Sequence, residues 1–129
     1  MSEELIERER VALIVIAGLT VVTGAAQVLA PQASLEPLLA EDDPTTRHFF
    51  GTIGMFMVVV GGWLLDALLR RPGDDSGLLW AAGQKVGAAG AVGLGVRRGI
   101  FSPLALVVAG FDALSGLLAI DYWRRLRRG

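Results

Sequence analysis

The chain has no cysteine and a single histidine, His48, among its 129 residues. The lack of cysteine excludes disulfides, thiolate nucleophiles, iron–sulfur clusters and thiolate zinc sites. The single histidine excludes a metal site built from a histidine cluster. The chain also lacks a polar segment long enough to fold as a second domain. We therefore expect one domain, residues 1–129, that holds no metal and no cofactor.

Charged residues are scarce, at 19% of the chain, whereas hydrophobic residues make up 53% and the mean hydropathy is +0.53. The hydrophobic residues are concentrated in stretches that are each about long enough to cross a hydrocarbon core of roughly 30 Å as a helix. These stretches are residues 11–30, 48–69, 78–96 and 103–123, and the longest segment between them is the polar loop 31–47. The sequence therefore predicts an all-α fold, an integral membrane bundle of four transmembrane helices.

The first stretch has two interpretations. Small residues around Ala30–Ala33 are compatible with the cleavage site of a signal peptide. However, the preceding residues 2–10 carry four Glu and two Arg, and the apolar run is longer than the core of a typical signal peptide. We therefore expect a retained first helix, whose charged beginning continues as a helix along the membrane surface.

Arginines are concentrated on one side of the predicted bundle. If the N-terminus is cytoplasmic, Arg47, Arg97 and Arg98 lie outside. The arginines inside are then those at positions 8, 10, 70, 71, 124, 125, 127 and 128. Cytoplasmic segments of membrane proteins carry an excess of Lys and Arg. We therefore expect a multi-pass protein of a bacterial or archaeal inner membrane with both termini in the cytoplasm.

Small residues recur every four positions in the third and fourth stretches. In the third stretch they form a line that we call the glycine ridge: Gly83, Gly87, Ala91 and Gly95. The fourth stretch has a matching line at Ala105, Ala109 and Ala113. Small residues let helix backbones approach closely in a membrane. We expect these residues to pack helices together, either inside one chain or between two subunits.

Three ionisable residues lie inside the predicted spans: Asp66, Lys85 and Asp112. A charge there costs a few kcal/mol unless it is paired or hydrated. Lys85 and Asp112 are expected at similar depths in the membrane, which predicts an ion pair between them. Asp66 is a further candidate partner of Lys85. Alternatively, Gln84 bonds to Asp112 while Lys85 reaches the head groups. These four residues are candidates for a ligand or ion pathway, or for contacts that only hold the helices together.

The last stretch ends in aromatic and basic residues: Tyr122, Trp123, Arg124, Arg125, Arg127 and Arg128. Aromatic residues and arginines mark the level of the lipid head groups, and basic residues there attract anionic lipids. We expect a head-group anchor at this end. At the outer membrane–water interface, we expect the side chain of His48 to be exposed to water.

Three segments of the chain resemble small four-helix bacterial membrane proteins of the DoxX type: GTIGMFMVVVGG at 51–62, QKVGA at 84–88 and FDALSG at 111–116. The resemblance implies a four-helix bundle in a bacterial inner membrane. It implies no catalytic residue.

The sequence contains no recognisable nucleophile–base pair or metal constellation, so we expect a protein that is not an enzyme. The favoured function is an oligomeric, accessory or scaffold subunit of a membrane assembly. Its expected partners are membrane lipids and a second copy or another membrane protein, with no nucleic acid. The alternative is a small transporter, channel or binder of lipids or small molecules that uses the polar residues around Asp112.

Overall fold

The computed structural model describes residues 2–70 and 75–128, which form α-helices and one 3₁₀ turn and contain no β-strand. In chain order the elements are α1 (Ser2–Leu29), α2 (Pro31–Leu35), the 3₁₀ turn Glu36–Leu38, α3 (Pro44–Leu69), α4 (Asp75–Arg97) and α5 (Ala105–Arg128). The predicted all-α class is confirmed. Much of the predicted polar loop is itself helical, because it contains α2, the 3₁₀ turn and the beginning of α3.

Three of the helices, α1, α3 and α5, are long and apolar enough to cross a membrane. The helix α4 does not belong to this group. It carries Gln84, Lys85 and six glycines, and these residues add little hydropathy. The membrane character of the chain therefore rests on three long apolar helices, and the fourth long helix is more polar.

The charged residues before the first apolar stretch belong to α1, which begins at Ser2. This continuation agrees with the sequence-based expectation. Within it, Arg10 Nη1 donates a hydrogen bond to Glu7 Oε1 at 2.9 Å, and Arg10 Nε donates to the backbone carbonyl of Leu68 at 2.9 Å. The second of these bonds ties the beginning of α1 to the end of α3.

The helix α3 begins at Pro44, before the apolar stretch that starts at His48. Asp43 caps this end, because its carboxylate accepts hydrogen bonds from the backbone N–H of Thr46 at 2.9 Å and from the Thr46 hydroxyl at 2.8 Å. Proline at the first helical position leaves no N–H unpaired there. The bond from the Thr46 backbone N–H, followed by that from its hydroxyl, lowers the pKa of Asp43 below its ordinary value.

Replacing Asp43 by alanine is expected to accelerate amide hydrogen exchange at Thr46 several-fold at neutral pH, because the amide loses its acceptor. The pKa of Asp43 is lower in the folded than in the unfolded state. The carboxylate of Asp43 therefore stabilises the helix fully at neutral pH, and this stabilisation is lost as the pH falls through the lowered pKa. The difference between wild type and variant should vanish in acid. Glu41→Ala, in the preceding loop, is the control, and equal exchange rates in the two variants would contradict the cap.

The four long helices form two pairs, α1 with α3 and α4 with α5, and the contacts within each pair are far more extensive than those between the pairs. In the first pair, Gly24 faces Gly54. A Cβ added to either glycine would lie 2.5 Å from the carbonyl oxygen of the other, so neither position has space for a side chain. In the second pair, a Cβ added to Gly116 would lie 2.7 Å from Cγ2 of Val86. Glycine therefore permits the close approach within each pair.

The hydrophobic core lies at one end of the bundle, which we call the core end. Its buried residues are Leu13, Ala17, Leu64, Leu68, Leu78, Ala81, Ala82, Ala119 and Tyr122. At the opposite end, the loop end, the backbone N–H of Ser102 donates to the carbonyl of Leu38 at 2.9 Å. Apolar packing thus joins the two helix pairs at the core end, and a backbone hydrogen bond between loops joins them at the loop end.

Candidate functional site

Lys85 lies between the two helix pairs and is only 5% exposed. Its Nζ donates to Thr20 Oγ1 on α1 at 2.6 Å and to Asp112 Oδ1 on α5 at 3.2 Å. The same ammonium lies 5.7 Å from the ring centroid of Phe111. The ion pair that the sequence predicts between Lys85 and Asp112 is therefore present. The side chain of Lys85 is directed into the protein, so the alternative in which it extends to the head groups is not observed.

Thr20 is the third member of this polar cluster, and the sequence did not single it out. Its hydroxyl donates to the carbonyl of Ile16 at 2.9 Å and accepts the bond from Lys85. Its methyl group packs towards Gly61, where an added Cβ would lie 3.1 Å from Thr20 Cγ2. The signal that marks Thr20 is its place in the stripe of buried α1 residues at helical spacing, Leu13, Ala17, Thr20, Gly24 and Gln27.

Asp66 and Gln84 are not part of the cluster. Asp66 Oδ1 lies 2.8 Å from Nε of Arg70, and both side chains are largely exposed. Asp66 therefore does not share the ammonium of Lys85. Gln84 makes no hydrogen bond to Asp112, and no donor among the described residues bonds to its buried Oε1. Of the four predicted residues, only Lys85 and Asp112 contact each other, and Thr20 is the third member of their cluster.

The glycine ridge lies on the opposite side of α4 from Lys85. Gly83, Gly87 and Ala91 are exposed, and a Cβ added to either glycine would have no neighbour within 4 Å. These residues therefore do not pack helices together within the described chain. Gly95 differs, because it is buried against the ring of Phe101. Packing of the ridge against another subunit stays a prediction.

The exposed positions of α4 recur every three or four residues and form one continuous side, which we call the exposed α4 face. It consists of Leu79, Trp80, Gly83, Val86, Gly87, Gly90, Ala91 and Leu94. The matching line on α5 is used inside the chain, since Ala105 and Ala109 are buried and Ala113 is half-buried. The helix α4 therefore directs Lys85 inwards and three members of the glycine ridge, Gly83, Gly87 and Ala91, outwards.

The arginines at the end of α5 divide into two groups. Arg125 Nε donates to Asp121 Oδ2 at 2.8 Å and to Glu9 Oε1 on α1 at 3.2 Å. Tyr122 is buried in the core. Arg125 thus connects α5 to α1, and Tyr122 belongs to the core, while contact of this end of α5 with lipid head groups stays a prediction. The second group consists of Arg124, Arg127 and Arg128, which are exposed.

A side groove of about 490 Å³ lies near the loop end, between the end of α1 and the beginning of α3. It is lined by Val28, Pro31, Arg47, His48, Gly51, Thr52 and Met55. Arg47 is paired with Asp42, and this contact lowers the pKa of Asp42. His48 is exposed, and its ring stands edge-on to Phe49 with centroids 6.1 Å apart. The groove therefore presents the exposed ring of His48 beside apolar side chains.

The described residues define an α-helical protein with long apolar helices, a buried charged pair and an uncovered face of small residues. Within them, no group of three or more His, Asp or Glu side chains is placed to hold a metal ion. No protein-family model, curated protein or solved structure matches the chain. The contacts within the chain are therefore the basis for inferring its function.

Proposed function

We propose that this chain is a non-enzymatic integral membrane protein that serves as a subunit of a membrane assembly, with the exposed α4 face as its contact surface. The observation that carries the proposal is that half of the residues on this face are glycine or alanine and that nothing in the described chain covers them. Gly83, Gly87 and Gly90 all have open space where a Cβ would lie. The partner is a second copy of the chain or another membrane protein.

The membrane location is supported by the apolar surfaces of α1, α3 and α5. Large apolar side chains are exposed along all three helices, for example Val22, Phe56 and Leu114. Soluble proteins rarely expose apolar surface so continuously. The distribution of arginines favours a cytoplasmic core end, which holds both termini, in a bacterial or archaeal inner membrane.

The exposed α4 face suits a protein neighbour better than lipid. Glycine leaves the helix backbone uncovered, whereas acyl chains interact well with larger apolar side chains. Helices in a membrane associate mainly through close backbone approach and van der Waals contact, which small residues at this spacing permit. The chain already uses that chemistry internally, for example at the contact of Gly24 with Gly54. On α4 the same chemistry is directed outwards.

A second candidate function is a site for an ion or a small polar ligand beside Lys85. It is favoured by the buried Oε1 of Gln84, which lacks a hydrogen-bond donor among the described residues. Against it, the ammonium of Lys85 already has two protein acceptors, Thr20 and Asp112. A fully paired charge is typical of a contact that fixes how helices pack. We therefore favour the structural role.

The assembly is tested by replacing Gly87 with leucine and measuring the mass of the complex released from native membranes by native mass spectrometry. The wild type is expected to appear as an oligomer or with a second membrane protein. Gly87→Leu should weaken this association at least about tenfold, a change of about 1.4 kcal/mol, because the leucine separates the helix surfaces.

The matched control is Gly110→Leu on α5. Gly110 is also exposed, with no atom within 4 Å of an added Cβ. Both variants gain the same side chain and the same helix propensity, so that only the position differs. A wild type that is always monomeric, or a Gly87→Leu variant that assembles as well as Gly110→Leu, would contradict the proposal.

A further inference from the structure

The exposed arginines at the end of α5 form a second surface with a distinct chemistry. At about 100° per helical residue, Arg124 and Arg128 lie on one side of the helix, one turn apart, and Arg125 lies outside their arc. We call Arg124 and Arg128 the arginine face. Among the described residues, no carboxylate forms a salt bridge with either arginine. Asp121, the nearest acidic residue along α5, is paired with Arg125. The arginine face therefore carries two positive charges with which no described carboxylate is paired.

An apolar track leads along α5 to the arginine face. Leu117 lies two turns before Arg124 on the same side of the helix and is 60% exposed, and Leu114, about one turn further, is 70% exposed. In a bilayer these side chains lie about 10 and 15 Å deeper than Arg124, at 1.5 Å per residue. The surface thus changes from acyl-chain contact to positive charge along one side of one helix.

Trp123 precedes Arg124 in α5, and its ring packs partly against the hydrophobic core. The guanidinium of Arg127 lies over this ring, 5.3 Å from the centroid. Tryptophan prefers the boundary between acyl chains and head groups. Guanidinium groups bind phosphate oxygens through pairs of parallel hydrogen bonds. At the proposed membrane location, we therefore expect the arginine face at the depth of the lipid phosphates.

We propose that the arginine face together with Leu117 and Leu114 binds an anionic phospholipid of the leaflet at the core end. The phosphate contacts the guanidinium groups, and an acyl chain follows the two leucines. Zwitterionic lipids bind less well, because their ammonium groups bring positive charge to a surface that is already positive. The inference rests on the proposed membrane location and is independent of the assembly through α4.

The site is tested with the full chain in nanodiscs that contain equal amounts of phosphatidylglycerol and phosphatidylcholine, with the retained lipids identified by native mass spectrometry. We expect the wild type to retain phosphatidylglycerol several-fold over phosphatidylcholine. The double variant Arg124→Gln/Arg128→Gln should lose most of this preference. The control is Arg8→Gln/Arg70→Gln, which removes the same charge from two arginines that are paired with Glu4 and Asp66.

The proposal would be overturned by no preference in the wild type, by an unchanged preference in Arg124→Gln/Arg128→Gln, or by an equal loss in the control. An equal loss in the control would mean that the lipid responds only to net charge. Displacement of the lipid by millimolar inorganic phosphate would show that the site takes free phosphate, which also contradicts the lipid assignment. The same spectra report the oligomeric state, so that a monomer that still selects phosphatidylglycerol would contradict the assembly alone.

Discussion

Replacing Gly24 by alanine is expected to lower the free energy of unfolding by about 1–3 kcal/mol, the usual cost of overpacking a close contact. The added methyl group would lie 2.5 Å from the carbonyl oxygen of Gly54 and 2.8 Å from Cβ of Met57. These atoms belong to the backbone or are attached to it, so they cannot move aside by a change of rotamer. The helices α1 and α3 would have to separate, with loss of contacts along their whole length.

The measurement is reversible unfolding in mixed micelles, followed by circular dichroism, with Gly18→Ala as the matched control. Gly18 lies on the same helix, and an added Cβ there has no neighbour within 4 Å. Alanine at this position should be neutral or stabilising by about 0.5–1 kcal/mol, because it favours the helix over glycine. Equal stabilities of the two variants would mean that the Gly24–Gly54 contact does not determine how α1 packs on α3.

Replacing Lys85 by methionine is expected to destabilise the fold by about 3–5 kcal/mol, because it leaves the carboxylate of Asp112 buried without a counter-ion. The double variant Lys85→Met/Asp112→Leu removes both charges and should recover most of the loss. The exposed pair of Arg70 with Asp66 provides a control. Arg70→Gln should cost less than about 1 kcal/mol, as is usual for a surface pair.

The same variants separate the two candidate functions. If the pair only holds helices together, Lys85→Met/Asp112→Leu should assemble like the wild type, and Asp112→Asn should show a modest loss of stability. If the pair is an ion or proton site, any dependence of ligand binding on pH or ions should disappear in Asp112→Asn. A double variant as unstable as Lys85→Met would contradict the structural interpretation, because the loss would not come from an unpaired charge.

The helices were largely predictable from the sequence, because apolar runs and capping residues are local signals. The third predicted helix, 78–96, corresponds to α4 at Asp75–Arg97. The beginning of α3 differs from its prediction because Asp43 and Pro44 start the helix in polar sequence. The equal depth of Lys85 and Asp112 on two consecutive helices indicated the ion pair, but the sequence did not determine the direction of the Lys85 side chain, so the alternative with Gln84 stayed open.

The packing partners were less predictable. A regular spacing of small residues identifies one face of a helix but does not show what covers that face. We expected the glycine ridge to pack against a helix, but no described residue covers Gly83 or Gly87. The close contact at Gly24 and Gly54 involves glycines on α1 and α3 that do not recur every four residues. Thr20 was missed because a lone threonine in an apolar helix usually bonds only to its own backbone.

The position of the ion pair also has a consequence for insertion into a membrane. Lys85 and Asp112 lie on α4 and α5, which are neighbours in the chain and form one of the two helix pairs. At the proposed membrane location, the two opposite charges of this helical hairpin can neutralise each other without the hydroxyl of Thr20 on α1. They then form a neutral pair, and the energetic penalty that a lone lysine would impose on α4 falls on neither helix separately.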